Sequence, residues 1–226
     1  MERALLEWVS RDPARYGYLL DFYRRGARVC CAGAEGVVLK NDKLGLCYAG
    51  GTAFAPELET SRLALVEDRA LAERLAARAP GLEILECAQA VYLKKDPPPR
   101  RDCPGVTLRP LTMDDLDFVL KNYRHPGAVE AHIRERIREG MLGAEAEGEP
   151  AGFIGVHEEG TMGLLEVLPR FRRRGLAEAL EAALIRRQLE KGVLPYAHVK
   201  TGNAASEALQ TKLGLTLDRR RFYWVG

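Results

Sequence analysis

The chain has 226 residues, 46% of them hydrophobic, which is enough for one large domain or two modest ones with packed cores. Its 34 basic and 32 acidic residues leave a net charge of +2, which excludes nucleic-acid binding through bulk positive charge. Five cysteines lack C-x-x-C spacing and no apolar run nears the roughly 20 residues of a membrane span, so we expect a cytoplasmic protein without metal or membrane contact.

Residues 1–94 carry a helical pattern followed by short apolar runs. Turn residues such as Asn41 and Asp42 separate the runs, which favours a meander of antiparallel strands. In chain order we predict a helix at 4–24, strands at 27–32, 36–40, 44–49 and 62–66, a helix at 68–78, and one or two strands within 82–93.

Three consecutive prolines at 97–99 mark the clearest boundary in the sequence. Proline lacks the backbone N–H that helices and strand ladders need, and proline-rich segments favour an extended conformation. We therefore predict a semi-rigid linker at 95–104, between an N-terminal domain at 1–94 and a second domain at 105–226.

The second domain opens with a strand at 106–109 and a helix that Thr112 caps, with Asp115 placed as in a capping box. The remaining predicted elements are a helix ending near Gly140, strands at 142–146 and 152–157 around a turn at 147–150, a strand that ends at Pro169, a helix that begins near Gly175, a strand at 196–200 and a helix after Asn203.

The most informative segment joins the strand that ends at Pro169 to the next helix. Residues 172–177 read Arg-Arg-Arg-Gly-Leu-Ala. The first N–H groups of a helix have no partner within it and lie at the positive end of its dipole, where they attract anions. Gly175 has no side chain to keep an anion away. We interpret residues 172–177 as a phosphate-binding segment, called the phosphate loop below; a solvated basic surface is the alternative.

The phosphate loop resembles the R/Q-x-x-G-x-G/A signature of the GNAT acyltransferases, whose backbone amides hold the pyrophosphate of coenzyme A. Further segments resemble the family in the same order: Val-Thr-Leu-Arg-Pro-Leu-Thr at 106–112, Asn-Ala-Ala-Ser at 203–206 and Lys-Leu-Gly-Leu at 212–215. The resemblance covers residues 105–226 and implies a GNAT acyltransferase fold there, of the α+β class with a mixed sheet.

The N-terminal domain repeats this order of elements without a phosphate loop. At the corresponding turn, residues 65–69 include acidic side chains and no glycine. We interpret residues 1–94 as a smaller, degenerate GNAT-like α+β domain that binds no cofactor; an unrelated α+β cap is the alternative.

The resemblance also implies acetyl-CoA or another acyl-CoA as the co-substrate. In the family, the backbone of the fourth strand pairs with the pantetheine arm, and the phosphate loop and a later helix contact the rest of the coenzyme. The residues so implicated are Leu165, Glu166, Val167, Arg172, Arg173, Arg174, Gly175, Leu176, Ala177, Asn203 and Ser206.

Three residues are candidates for the base that deprotonates an acceptor amine. His198 lies on a predicted strand five residues before Asn203, and a neutral imidazole accepts protons near neutral pH. Glu166 places a charge inside an apolar strand, and Glu159 lies in the turn before that strand. The alternatives are a histidine satisfied by hydrogen bonds within the sheet and solvated glutamates.

Gln210 departs from the family, many of whose members carry a tyrosine there that protonates the departing thiolate. An amide cannot supply that proton at neutral pH. Together with the two-part architecture and the Tyr-x-His-Val strand at 196–199, this departure is similar to the glycine N-acyltransferase-like group.

We therefore expect a coenzyme A dependent N-acyltransferase, most simply an N-acetyltransferase, acting on the amine of a small molecule or amino acid. We expect it to be a monomer or homodimer. A non-catalytic acyl-CoA binding or regulatory module is the alternative. The family builds its acceptor pocket partly from a C-terminal hairpin, here around residues 222–224, where core packing is the alternative interpretation of the aromatic side chains.

Overall fold

The computed structural model describes residues 2–101, 103–123 and 129–226. Its helices are α1 (Glu2–Arg11), α2 (Pro13–Arg24), α3 (Glu57–Thr60), α4 (Arg69–Ala76), α5 (Leu116–Asn122), α6 (Glu130–Glu139), α7 (Leu176–Glu190) and α8 (Ala204–Leu213). Its strands are β1 (Arg28–Ala32), β2 (Gly36–Asn41), β3 (Leu46–Gly51), β4 (Leu63–Val66), β5 (Ile84–Val91), β6 (Val106–Pro110), β7 (Leu142–Ala146), β8 (Glu149–Val156), β9 (Met162–Val167), β10 (Tyr196–Lys200) and β11 (Thr216–Val225).

The chain forms two compact units. The first consists of Met1–Leu93, His198–Glu207 and Thr216–Gly226, and the second of Lys94–Ala197 and Ala208–Leu215. The first unit therefore includes segments from late in the sequence. A division into domains at 1–94 and 105–226 stays a prediction.

A seven-stranded sheet runs in the order β1-β2-β3-β4-β11-β5-β10. Strands β1, β2 and β3 form the predicted antiparallel meander. Strands β3 and β4 are parallel, whereas β11 lies between β4 and β5 and is antiparallel to both. The sheet is mixed, because β3 and β4 are parallel and are joined through α3 instead of by a hairpin.

Strand β11 shows that the expectation of a C-terminal hairpin around residues 222–224 is wrong. Residues 216–225 form one strand, with a register shift between Asp218 and Arg221 opposite β5. Residues 223–225 pair with β4 on one side and with β5 on the other, so no turn occurs at 222–224. Phe222 and Tyr223 are 2% and 9% exposed, which agrees with the core-packing interpretation.

Two helices replace the single helix predicted at 4–24. Helix α1 ends at Arg11 and α2 begins at Pro13, which has no N–H to donate to the preceding turn. The Asp12 side chain caps α2 by accepting a hydrogen bond from the backbone nitrogen of Arg15 at 3.1 Å. Aspartate followed by proline is a helix start signal, and it divides the segment.

The second unit has an antiparallel sheet in the order β6-β7-β8-β9. Helix α7 packs against β7, β8 and β9, and α6 contacts β8. Helices α5 and α6 contribute to a buried cluster of Leu111, Leu116, Val119, Ile133, Ile137, Met141, Phe153 and Leu164. Through Leu164, burial of these apolar side chains positions the edge strand β9.

The predicted capping box at Thr112 is confirmed. The Thr112 backbone nitrogen donates to Asp115 Oδ2 at 2.8 Å, and the Asp115 carboxylate accepts two further hydrogen bonds from the Arg109 guanidinium at 2.7 and 2.8 Å. Helix α6 ends at Gly140, also as predicted. Gly140 has a φ of +105°, a left-handed conformation that favours glycine.

The turn between β7 and β8 is shorter than the predicted 147–150. Glu147 and Gly148 both have positive φ, 58° and 77°, and β8 already begins at Glu149. Two left-handed residues in succession are typical of a tight hairpin whose twist matches the strands. Pro150 therefore lies within β8, opposite Glu145.

No helix of the described residues has the length and apolar content that a membrane crossing needs. All five cysteines are free thiols. Cys47 is fully buried, and burial raises the pKa of its thiol to about 12, so it behaves as a small apolar side chain.

Candidate functional site

Strand β9 lies at the edge of the four-stranded sheet, next to β8. Its register with β8 shifts between Phe153 and Gly155, which marks a bulge in β9. Leu164 lies in this bulge with a φ of +50°, a conformation that costs a bulky residue about 1 kcal/mol or more. Bulges and strained residues concentrate at functional sites, and an edge strand offers backbone groups to an extended ligand. The next three residues, Leu165, Glu166 and Val167, are those implicated in pantetheine binding.

The phosphate loop connects β9 to α7 after a single 3₁₀ turn, Pro169–Phe171. Arg173 and Gly175 have φ values of +65° and +87°. Gly175 is the N-cap residue of α7, and no side chain in the described part of the chain caps this 15-residue helix. The first N–H groups of α7 are therefore left for an anion.

A cavity of about 370 Å³ lies at this helix end. It is lined by Arg101, Val167, Phe171, Arg172, Arg173, Gly175, Leu176, Ala177, Glu178, Leu209 and Lys212. Four of these side chains are cationic and one is anionic, so the cavity favours a negatively charged ligand. The lining includes five of the six residues of the phosphate loop.

The arginines around the phosphate loop have different partners. Arg172 donates to the Val167 carbonyl at 2.9 Å and pairs with Glu166 at 3.0 Å. Arg173 has no hydrogen-bond or ion-pair partner among the described residues. Arg174, the loop residue that does not line the cavity, pairs instead with Glu147 in the β7–β8 turn at 2.6 Å.

Three of the other predicted site residues belong to the first compact unit. Asn203 Oδ1 accepts a hydrogen bond from the Ser206 backbone nitrogen at 3.1 Å, so Asn203 caps α8, as the sequence predicts. His198 Nδ1 accepts from Trp224 Nε1 at 3.3 Å, and the His198 ring lies 4.6 Å from that of Phe222. The hydrogen bond from Trp224 involves only the Nδ1 side of the His198 ring, and the catalytic and cofactor roles of all three residues stay predictions.

Glu159 and Glu166 both raise the pKa of Tyr123, which follows the last turn of α5. Burial raises the pKa of the Tyr123 phenol to about 12, and the charges of Glu159 and then Glu166 add to the rise. Glu159 accepts a hydrogen bond from Thr161 Oγ1 at 2.6 Å. The structure therefore brings two of the predicted base candidates close to a phenol that stays protonated at neutral pH.

Two histidines lie beside the bulge of β9. His132 Nδ1 is 3.2 Å from Glu158 Oε1, and the rings of His132 and His157 stack 6.5 Å apart. A Cβ atom at Gly163, the residue before Leu164, would collide with the His157 ring. Sequence reasoning did not single out these histidines. Among the described residues no group of three or more His, Cys, Asp or Glu side chains could hold a metal ion.

Gln210 on α8 forms a buried pair with Glu181 on α7. Gln210 Nε2 donates to Glu181 Oε1 at 2.6 Å, and the two residues are 3% and 2% exposed. Burial raises the pKa of Glu181 to about 7, against the opposing effect of that hydrogen bond. Glu181 Oε2 and Gln210 Oε1 have no partner among the described residues. Both are acceptors, so a proton on Glu181 would supply the donor that they lack.

Comparisons with known proteins bear on the fold. The model of the FR47-like protein family matches residues 141–225, which run from β7 to β11 and include the phosphate loop. The structure of a protein from Drosophila has a TM-score of 0.76 at 19% identity, with 99% of this chain and 94% of the other covered. A GCN5-related N-acetyltransferase from Kribbella flavida has a TM-score of 0.59 at 18% identity, with 94% of each chain covered. The chain has the GNAT fold.

A GCN5-related N-acetyltransferase-like protein from Streptococcus suis has a TM-score of 0.58 at 14% identity, with 92% of this chain and 93% of the other covered. None of the curated proteins matches the chain. Identities this low give the fold and leave the reaction to be argued from the site.

Sequence reasoning missed three side chains of the candidate site. Arg101 and Lys212 line the cavity from the proline-rich segment and from α8, where each looks like an ordinary surface charge. A signal existed for Arg101, since Arg100 and Arg101 form a basic pair directly after the prolines. Tyr123 continues the apolar side of α5 in the sequence, and this pattern hides its proximity to Glu159 and Glu166.

Proposed function

We propose that the protein is a coenzyme A dependent N-acyltransferase that moves an acyl group, most simply acetyl, from an acyl-CoA to the amine of a small molecule or amino acid. The observation that carries this proposal is the uncapped N-terminus of α7, which follows a left-handed glycine and opens into a cation-lined cavity. Anions bind to such helix ends, and the diphosphate of coenzyme A carries the required charge.

The residues present fit that ligand. Arg172 and Arg173 line the cavity, and Gly175 adds no side chain at the helix end. Coenzyme A also has a pantetheine arm with two amides, and the edge strand β9 offers backbone donors and acceptors to such an extended chain. The bulge at Leu164 turns the backbone groups beside it out of the regular ladder with β8.

Acyl transfer joins the amine nitrogen to the thioester carbonyl carbon, breaks the carbon–sulfur bond, and requires a base for the amine proton. We propose a base from the group near Tyr123, either Glu159 or Glu166, with His198 as the further candidate. Tyr123 itself suits hydrogen-bond donation. Its pKa of about 12 lies above that of a thiol, so transfer of its proton to a thiolate is unfavourable.

Isothermal titration with acetyl-CoA tests the proposal. We expect the wild type to bind and Gly175→Glu to lose at least 100-fold in affinity, because a carboxylate would lie at the helix end meant for the diphosphate. Gly192→Glu is a matched control, since Gly192 follows the other end of α7 with a φ of +67° and has open space around it. Affinity that survives in Gly175→Glu, or no binding by the wild type, would refute the site.

Thiol release measured against a panel of amines tests the reaction. The panel contains glycine, other amino acids, polyamines and aminoglycosides; glycine is included because of the resemblance of residues 196–199 to the glycine N-acyltransferase-like group. With an active amine, Glu159→Gln, Glu166→Gln and His198→Gln identify the base. The base variant lowers turnover most and removes one limb of the pH profile, while acetyl-CoA affinity is kept.

A non-catalytic acyl-CoA-binding module is the second candidate, and Gln210 favours it. The Gln210 amide donates a hydrogen bond to Glu181 at 2.6 Å, and an amide supplies no proton to a thiolate. Binding of acetyl-CoA without turnover over the whole panel would support the module and refute the enzyme.

A further inference from the structure

Arg101 lies directly on the phosphate loop. A Cβ atom built at Gly175 would collide with the Arg101 side chain, so this guanidinium covers the backbone of the N-cap glycine. Arg101 forms an ion pair with Glu178 in the first turn of α7. Nearby, Cys103 Sγ lies 3.9 Å from the carbonyl oxygen of Arg174, so a second residue of the proline-rich segment contacts the phosphate loop.

Glu178 is held by two cations. Lys212 Nζ lies 2.8 Å from its carboxylate, and Arg101 is the other partner. Burial opposes ionisation of Glu178, but the hydrogen bonds from Lys212 and Arg101 outweigh it and lower the pKa of the carboxyl. An ionised Glu178 suits the helix dipole, yet it would repel an anion at the same helix end. The two cations offset that repulsion.

Gly175 and the first N–H groups of α7 are reachable for an anion when the Arg101 guanidinium moves off the glycine. Glu178 keeps Lys212 when Arg101 moves, so its charge stays balanced. Arg101 lines the same cavity and is 38% exposed in its side chain, which leaves it room to turn. A planar guanidinium that leaves one carboxylate can form paired hydrogen bonds to a phosphate instead.

We propose that Arg101 is a diphosphate ligand from outside the phosphate loop, which Glu178 holds over Gly175 until the coenzyme binds and which then exchanges the carboxylate for the diphosphate. The inference rests on the proposed function. It assigns to the proline-rich segment a binding role that a plain linker would lack.

Titration of Arg101→Ala with acetyl-CoA and with dephospho-acetyl-CoA, which lacks the 3′-phosphate, tests this role. We expect at least tenfold weaker binding of both compounds, the scale of one lost charge-assisted hydrogen bond. Arg101→Lys should recover part of the loss. Arg100→Ala is the matched control, because it removes the neighbouring charge outside this cavity and should leave both affinities unchanged.

Each other result overturns the inference. Unchanged binding in Arg101→Ala would show that Arg101 is not a ligand, and tighter binding would show that it only blocks the cavity. A loss confined to acetyl-CoA would move its target to the 3′-phosphate. Glu178→Gln should bind acetyl-CoA at least threefold more tightly, since Arg101 is released, and weaker binding would contradict the exchange. Failure of the wild type to bind refutes the proposed function itself, before any variant is compared.

Discussion

Replacing Glu181 by glutamine tests the buried pair that Glu181 forms with Gln210. Glu181 is 2% exposed, and its contact with Gln210 Nε2 is a hydrogen bond of 2.6 Å. Burial disfavours the charged carboxylate and raises its pKa to about 7 from 4.5. Glutamine has nearly the same shape, stays neutral at every pH, and can still accept a hydrogen bond from Gln210.

The expected magnitude follows from that shift in pKa. Below pH 4.5 the carboxyl is protonated in both the folded and the unfolded chain. Between pH 4.5 and 7 the unfolded carboxyl ionises while the folded one keeps its proton, so the free energy of unfolding falls. Above pH 7 the loss is complete, and at about 1.4 kcal/mol per pKa unit it amounts to about 3 kcal/mol.

Urea unfolding at pH 4 and pH 8 measures this loss. Glu181→Gln should gain about 3 kcal/mol relative to the wild type between the two pH values, because only the wild type ionises. Both tryptophans, Trp8 and Trp224, lie in the first unit, so far-UV circular dichroism is the signal to follow. Glu190→Gln, an exposed change at the end of the same helix, is the control and should show no such gain.

The reasoning is refuted if the difference between Glu181→Gln and the wild type is the same at both pH values. That result would mean that Glu181 ionises in the folded protein as easily as in the unfolded chain, and hence that water or a cation reaches it. A gain in Glu190→Gln as well would instead assign the pH dependence to general charge repulsion.

Two further predictions concern stability. Asp115→Asn should lower the free energy of unfolding by about 2 kcal/mol at pH 7, because the carboxylate loses its paired hydrogen bonds to Arg109. The hydrogen bond from Arg109 lowers the pKa of Asp115. In urea unfolding, the difference in stability between Asp115→Asn and the wild type should therefore shrink as the pH falls below 4. A difference that stays constant with pH would contradict the ion pair. Gly140→Ala should lower the free energy of unfolding by about 2 kcal/mol, since φ is +105° and the new Cβ would displace the Arg187 guanidinium. Gly192→Ala, the control, should lower it by about 1 kcal/mol because of its positive φ alone. Equal losses of stability in thermal unfolding would contradict the contact with Arg187.

Sequence reasoning located the elements that local contacts specify. Thr112 and Asp115 cap their helix, Gly140 ends the next one, and α7 begins after Gly175, all where the residue pattern predicts. These signals act within a few residues of each other. The same reasoning missed the break at Asp12, where aspartate followed by proline starts a second helix within the predicted 4–24 segment.

Contacts between distant segments were not predictable in this way. The residue pattern of 216–225 fits a hairpin as well as a central strand, and pairing with β4 and β5 decides between them. The same holds for the surroundings of His198, whose strand pattern carries no information on the aromatic rings that pack against it.

By itself the sequence determined that residues 172–177 place cations and a glycine at the start of a helix, because the strand, the glycine and the helix are consecutive. The tertiary structure alone decided which charges reach that helix end. In it Arg174 pairs with Glu147, Lys212 on α8 pairs with Glu178, and the Arg101 side chain contacts Gly175. The physical reason is that a side chain's partner depends on which segments pack together, and that packing is settled by burial over the whole unit.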